Sequence, residues 1–334
     1  MGITILGGIN QGLIWALLAI GVFVTFRILD FADLTVEGSF ALGGLIAALF
    51  INNLSLNPFL ATFVAMLAGG AAGLVTGLLN VKLRIPPILS GILTMTALVS
   101  INLLVTGGTP SIPVLYAPTV YNWIFPEGMK IFGISANYFS ELIMGVVFVA
   151  AVVALLYWFF GTELGMSIRA TGANEKMSRA QGINTDLTKI YALVISNALV
   201  GLSGALFAQQ QAGATNTMGQ GAIVIGLAAV VIGETLIPAR DHFWLKLTGV
   251  AIGSIIYRII TSIIFYLGLS TNYIQLISAL VVAIALSVPT VKSSVTRYIK
   301  RKKNNAAPPD GGTAESAAEQ SPSDTSDAEE KENA

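Results

Sequence analysis

The chain has 334 residues, 54% of them hydrophobic and only 11% charged, with no net formal charge, and a mean hydropathy of +0.76. That is far more apolar than a soluble domain, so a polytopic membrane protein is expected and soluble enzymes and nucleic-acid binders are disfavoured. With no cysteine and a single histidine, His242, neither disulfides nor Cys/His metal clusters can form.

No lysine or arginine precedes the first apolar run, so it lacks the charged start of a secretory signal and reads as a membrane helix over residues 3–26. Eight further runs follow at 38–52, 59–79, 88–105, 138–160, 190–207, 222–236, 243–267 and 273–291. Together they make about nine spans, each judged against the roughly 20 residues that cross the hydrocarbon. Between the first two stand Arg27, Asp30, Asp33 and Glu37. Ionisable groups within a bilayer are costly unless they pair or meet water, which makes these candidates for a translocation route. The alternative is a plain turn at the inner surface, with Asp33 capping the next helix. The loop 106–137 carries Pro110, Pro113, Pro118 and Pro126 among Tyr116, Tyr121, Trp123, Phe125 and Phe132. It either meets an external protein or rests at the headgroup level, as aromatic belts do.

Residues 161–189, GTELGMSIRATGANEKMSRAQGINTDLTK, form a polar island between two membrane-length runs and must face water. Within it, 166–181 reads as one short amphipathic helix, with Arg169, Glu175, Lys176 and Arg179 as charges and Met166, Ile168, Met177 and Ala180 as apolar positions. Gly165 and Gly182 would permit chain reversals at its two ends. An ordinary interfacial loop helix fits the same pattern.

The second and seventh spans are short, at 15 residues each, and follow the polar segments FADLTVEG and QQQAGATNTMGQG. Five spans apart, they cross in opposite directions. Short, interrupted segments in matching places are the trace of an inverted repeat with a substrate route between its halves. Spans one to four would then mirror six to nine, with the fifth outside the repeat; Thr35, Gly44 and Leu45 recur at equal spacing as Thr217, Gly226 and Leu227. Glu234, at the inner end of the seventh span, answers a positive group on a partner, pairs with Arg240, or is a surface acid. Arg258 lies near the middle of the eighth span, too far from either end to reach headgroups comfortably. It needs an acceptor, either a carboxylate on the passing substrate or a gate, or backbone carbonyls and Ser254 in a helix contact.

Placing 161–189 inside also puts Arg27, Lys82, Arg84, Arg240, Lys246 and the basic 292–303 cluster inside and leaves only Lys130 outside. The N-terminus is then extracytoplasmic and the C-terminus cytoplasmic. Trp158-Phe159-Phe160 and Phe243-Trp244 fall at inner interfaces. Residues 304–334 carry eight acids and one lysine, net −7, against +7 for residues 1–303. With almost no large apolar residues, 304–334 reads as a disordered acidic cytoplasmic tail after a transmembrane domain spanning 1–303.

No GxxxxGK[ST] occurs, and no credible Ser/His/Asp set or paired carboxylates stand near a nucleophile. The chain is therefore not read as an enzyme, no cofactor is implied, and any ATP is hydrolysed elsewhere.

Gly165, Arg169-Ala170, Gly172, Asn174, Ala180 and Gly182-Ile183-Asn184, together with Gly226-Leu227 and the run 229–233, carry a resemblance, with Met177 and Arg179 beside them as candidate contacts to a partner groove. The chain resembles permease subunits of binding-protein-dependent ABC importers, in the branch of the branched-chain amino acid and ribose permeases, and looks most like tryptophan/tyrosine transport permeases. The resemblance covers roughly residues 8–290. It implies an all-α polytopic fold of the type II, vitamin B12 importer-like kind, with 161–189 as the coupling segment that docks on a cytoplasmic ATPase. It also implies a second permease copy, an external substrate-binding protein, and an amino acid as cargo. Members of the family carry a polar, Gly-containing break where FADLTVEGSFALGG stands, which favours Asp30, Asp33 and Glu37 as route residues. The main alternative is a stand-alone ion-coupled secondary transporter, with coupling acids at mid-bilayer; an intramembrane enzyme is a third reading.

Overall fold

Long apolar runs with few helix breakers dictate helices, and the chain consists mainly of them. The computed structural model describes residues 1–114, 117–124, 130–131, 134–237 and 242–266, together with positions 279, 280, 283 and 287. All of these lie in one unit, Met1–Pro289. All but those four positions of the ninth expected span, together with Arg240, the basic 292–303 cluster and the acidic 304–334 segment, lie outside the described residues.

Helix α1 (Gly2–Phe23) runs into a π-helical turn (Val24–Ile28). Then come α2 (Thr35–Asn53), α3 (Pro58–Val81), α4 (Pro87–Val105), α5 (Ala136–Phe160), α6 (Glu163–Ala173), α7 (Glu175–Ala180), α8 (Thr185–Gln210), α9 (Ala222–Leu236) and α10 (Phe243–Tyr266). Prolines at the first turns start α3 and α4, where the missing N–H is no loss. Among the described residues seven helices are long and apolar enough to cross a membrane, and α9 is a shorter apolar helix. Two boundaries differ from expectation. The second span is not short, because Thr35, Val36 and Glu37 are helical and extend it to 19 residues. The sixth begins at Thr185, because Asn184 caps it by accepting from Leu187 N at 3.2 Å, which makes the polar TDLTK turn helical.

The pairing of helices has a doubled pattern. α1 packs on α9 and α10 as α8 packs on α2 and α3, and α2 meets α3 as α9 meets α10. Exchanging α1, α2 and α3 for α8, α9 and α10 leaves this pattern unchanged, as an inverted repeat of spans one to three onto six to eight requires. α5 rests on α1 and α10, outside the pattern.

Lipid tails are as apolar as leucine, so association must come from close packing and hydrogen bonds. Gly201 of α8 lies against Gly43 of α2 and Gly69 of α3, Gly204 meets the Phe40 carbonyl, and on the other side Gly233 of α9 meets Gly249 and Gly253 of α10. Ser196 and Ser203 of α8 donate to the carbonyls of Gly21 and Ile14, both at 2.7 Å, and Ser254 of α10 donates to that of Gly12 at 3.0 Å.

The loops sort to two ends. At one, β1 (Ser111–Pro113) pairs antiparallel with β4 (Gly213–Thr215), while β2 (Lys130–Ile131) pairs with β3 (Ile134–Ser135) and Asn102 Nδ2 donates to Asn216 Oδ1 at 3.1 Å. At the other, one cavity is bordered by Arg84, Arg179, Asp186 and Lys189, and another by Arg27, Arg169, Glu234 and Lys246. A Cβ at Gly204 would collide with the Phe40 backbone, whereas one at Gly2 meets nothing. Gly204→Leu is therefore expected to destabilise the bundle by about 2 kcal/mol or more, and Gly2→Ala to leave it unchanged, in thermal unfolding of the detergent-solubilised protein.

Candidate functional site

After the π-helical turn the chain leaves the helical path for residues 29–34 before α2 begins. Asp33 is fully buried there. Its Oδ1 accepts from Thr35 N at 2.9 Å, the cap expected at the head of α2, and its Oδ2 accepts from Asn197 Nδ2 of α8 at 2.7 Å. Asn197 Oδ1 in turn accepts from Ser39 Oγ at 2.7 Å, and the hydroxyls of Thr35 and Thr76 meet at 2.7 Å. This network joins α2, α3 and α8, so Asp33 is not a plain surface turn residue.

The four ionisable groups expected as a cluster have four destinations. Asp30 is exposed, in a left-handed turn at φ 56°. Glu37 is half-buried, and its Oε1 accepts from Gly221 N at 3.0 Å, just where Gly221 with φ 76° turns the chain into α9. Arg27 Nε bonds Glu234 Oε1 at 2.7 Å, tying the end of the π-helical turn to the end of α9. Glu234 therefore has an acceptor role within the chain, toward Arg27.

Arg258 makes no hydrogen bond to Ser254, which itself donates to the Gly12 carbonyl at 3.0 Å. Its guanidinium carbon lies 3.9 Å from the centre of the Trp15 ring, and its Nε has no hydrogen-bond acceptor. Trp15 forms an aromatic group with Phe40 and Phe207, at 5.1 and 5.6 Å between centroids. A cation over an indole face is stabilised without a carboxylate.

Two polar groups escaped the sequence reading. Asn197 was a lone asparagine in an apolar run, and that was its signal. At the end opposite α6, Glu141 Oε2 accepts from Asn10 Nδ2 at 3.1 Å and Gln210 Nε2 at 2.9 Å. Glu141 was a lone acid in the fifth span.

The polar segment is two helices rather than one. Asn174 adopts an extended conformation between α6 and α7 and caps α7 by accepting from Met177 N at 3.0 Å; the side chain that stops one helix starts the next. Gly182, at φ 84°, makes the reversal expected of it, with Ile183 N bonded to Ser178 O at 3.1 Å. Gly165 does not: it is buried inside α6 against the backbone of Phe159 and Phe160, where its lack of a side chain permits the approach. Gly172 likewise lets α6 lie on the backbone of Ile28 and Leu29. Arg179 is engaged at home, donating to Thr185 Oγ1 and Asp186 Oδ1, both at 2.7 Å. Met177, Ala180 and Arg169 are exposed, Ala170 half-buried.

Glu175 anchors α7, accepting from Lys189 Nζ at 2.7 Å and Arg179 Nη2 at 3.2 Å. The bond from Lys189 holds its carboxyl below the ordinary value, burial opposing and the charges of Lys189 and Arg179 adding to it. A depressed acid contributes stability above its unfolded pKa and loses it as pH falls through the folded value. Protection of the α7 amides against hydrogen exchange is thus expected to drop below about pH 4, modestly for so exposed a pair, and to lose that pH dependence in Glu175→Gln. Asn197→Leu, which strands Asp33 Oδ2 and Ser39 Oγ, is expected to cost about 1–3 kcal/mol in detergent unfolding.

Doubled helix pairing, a polar two-helix segment outside the spans, a buried polar break at the head of α2 and a left-handed glycine turn at the head of α9 describe a multi-pass membrane protein built on a repeat. A family model described as the branched-chain amino acid transport system / permease component matches residues 4–286, and the chain belongs to that family. It is 35% identical over 302 residues to the tyrosine transport system permease protein of Clostridioides difficile, covering 90% of this chain and 95% of that one. With the ribose import permease protein RbsC of Escherichia coli K12 it shares 29% identity over 295 residues, 85% of this chain and 84% of the other. Among solved structures, PsaBC from Streptococcus pneumoniae in complex with Fab superposes at a TM-score of 0.45 and 17% identity, covering 84% of this chain and 89% of that chain. An inward-facing metal-chelate type ABC transporter gives 0.49 and 16%, covering 86% and 85%.

Proposed function

We propose that this permease is the membrane subunit of an ATP-driven importer that moves an amino acid, aromatic or branched-chain, into the cell. The similarity to the tyrosine transport permease favours an aromatic cargo. The observation that carries the driven mechanism is the seating of α6 on the π-helical turn through Gly172 and Ile28. A push on α6 would reach residues 29–34, and from there the buried Asp33–Asn197 contact at the head of α2. The Arg27–Glu234 bond gives the same push a second path, to α9. Asp30, Asp33 and Glu37 then belong to the moving break that opens and closes the route.

The excess of cations at the end bearing Arg27, Lys82, Arg84, Arg169, Lys176, Arg179, Lys189 and Lys246 supports reading that end as cytoplasmic and the N-terminus as outside. There a partner ATPase would receive the exposed Met177 and Ala180 in a groove, an amphipathic helix lending its apolar face. A second permease copy, an external substrate-binding protein and a cytoplasmic C-terminus complete the reading.

Ala180→Trp alters an exposed position and should leave folding intact. In reconstituted vesicles it is expected to reduce stimulation of the copurified ATPase at least about tenfold, a loss of about 1.4 kcal/mol, with an unchanged unfolding midpoint. Normal stimulation would show that α7 is not the contact.

A further inference from the structure

Three cavities adjoin one another, each sharing lining residues with the next. The largest, about 590 Å³, is an apolar groove between α5 and α10, lined by Leu13, Val146, Val149 and Val153 and ending at Tyr157 and Trp244. Tyr157 also borders a second space of about 380 Å³, which reaches Trp158, Arg169 and Phe243. Arg169 and Phe243 border the third, of about 280 Å³, which adds Lys246, Arg27 and Glu234. The path therefore leads from an apolar trough, past a rim of exposed aromatic side chains, to a group of cations.

The charges there are unbalanced. Glu234 is engaged by Arg27 at 2.7 Å. Arg169 and Lys246 take part in none of the ion pairs among the described residues, and the guanidinium of Arg169 is steered over the Phe243 ring at 5.3 Å. Tyr157, Trp158 and Trp244 are 55%, 71% and 46% exposed, as side chains at a lipid–water boundary are.

We propose that this continuous surface binds one anionic phospholipid, its acyl chain in the α5–α10 groove and its phosphate between Arg169 and Lys246. The trough is lined by apolar side chains of α1, α5 and α10, three candidate spans, and an acyl chain matches that chemistry. Basic pockets between spans beside the membrane surface suit phosphate-bearing headgroups, and guanidinium is a bidentate phosphate donor. Because Arg169 belongs to α6, the headgroup touches the segment that lies on Ile28, so lipid charge would tune that segment's position. The site itself rests only on the chain spanning a membrane and not on the importer reading.

The test uses the full chain purified in detergent and titrated with phosphatidylglycerol or phosphatidylcholine of the same acyl chains, bound lipid being counted by native mass spectrometry. Phosphatidylglycerol is expected to bind about tenfold more tightly, and Arg169→Gln with Lys246→Gln to abolish that preference, while Lys82→Gln, another exposed cation at the same end, keeps it. Val149→Trp, which fills the groove, should weaken both lipids. In the wild-type chain phosphatidylglycerol, but not inorganic phosphate, should shield Lys246 from acylation, a result independent of whether the variants fold. Equal binding of the two lipids overturns the proposal. So does equal shielding by inorganic phosphate, which would mark a simple anion pocket. So does a double variant that keeps the lipid preference and loses only the ATPase, which would assign both cations to the partner protein.

Discussion

Asp33 has to be satisfied where it is buried for α2 to begin at Thr35. A spanning chain that leaves the helical path amid apolar neighbours strands peptide groups that no water can reach, each at a cost of several kcal/mol. Here three of the break's N–H groups are satisfied within the chain. Leu29 N and Phe31 N return to the carbonyls of Val24 and Thr25 at 3.0 and 2.9 Å, and Thr35 N goes to the Asp33 carboxyl. Asn197 of α8 then holds the other carboxyl oxygen. The position of α2 against α8 follows from this anchor, and with it the close approach of Gly43 to Gly201 and of Phe40 to Gly204.

The break before α9 is built on different chemistry in a corresponding place. There a glycine in the left-handed region turns the chain, and the carboxylate that receives its N–H comes from α2. Glu37 thus ties the heads of the two matching helices together, while Arg27 ties the π-helical turn to the far end of α9. With α6 resting on Ile28, the polar segment, both breaks and the end of α9 form one connected set of contacts. Rigid helices joined through such points move as bodies, with the change in backbone angles absorbed at element ends.

Charge inside the bundle is handled in two ways. Carboxylates are held by amides: Asp33 by Asn197, and Glu141 by Asn10 and Gln210. Arg258, within α10, is instead held by an aromatic face, Trp15, backed by Phe40 and Phe207. That arrangement leaves the buried Nε without a hydrogen-bond partner, unlike a closed ion pair.

What the sequence by itself determined is the membrane class, the position of eight of the expected spans, the short α9, and the polar segment between α5 and α8. Hydrophobicity integrated over about 20 residues decides these, and it is a local quantity. The family was legible too, through the resemblance carried by Arg169-Ala170, Gly172 and Gly182-Ile183-Asn184, and the family model matches residues 4–286. Only the tertiary structure decided that Arg27, Asp30, Asp33 and Glu37 part company, and that Glu234 faces Arg27. It also decided that Gly165 serves backbone contact rather than reversal, that Gly172 seats α6 on Ile28, and that Arg258 lies on Trp15. Each of these depends on which helix faces which across a bundle, and a partner some 200 residues away leaves no mark in local periodicity. Even the split at Asn174 follows this rule: an asparagine inside a helix-compatible stretch can either continue it or cap the next turn, and the packing of α6 on Ile28 and of α7 on α8 selects the cap.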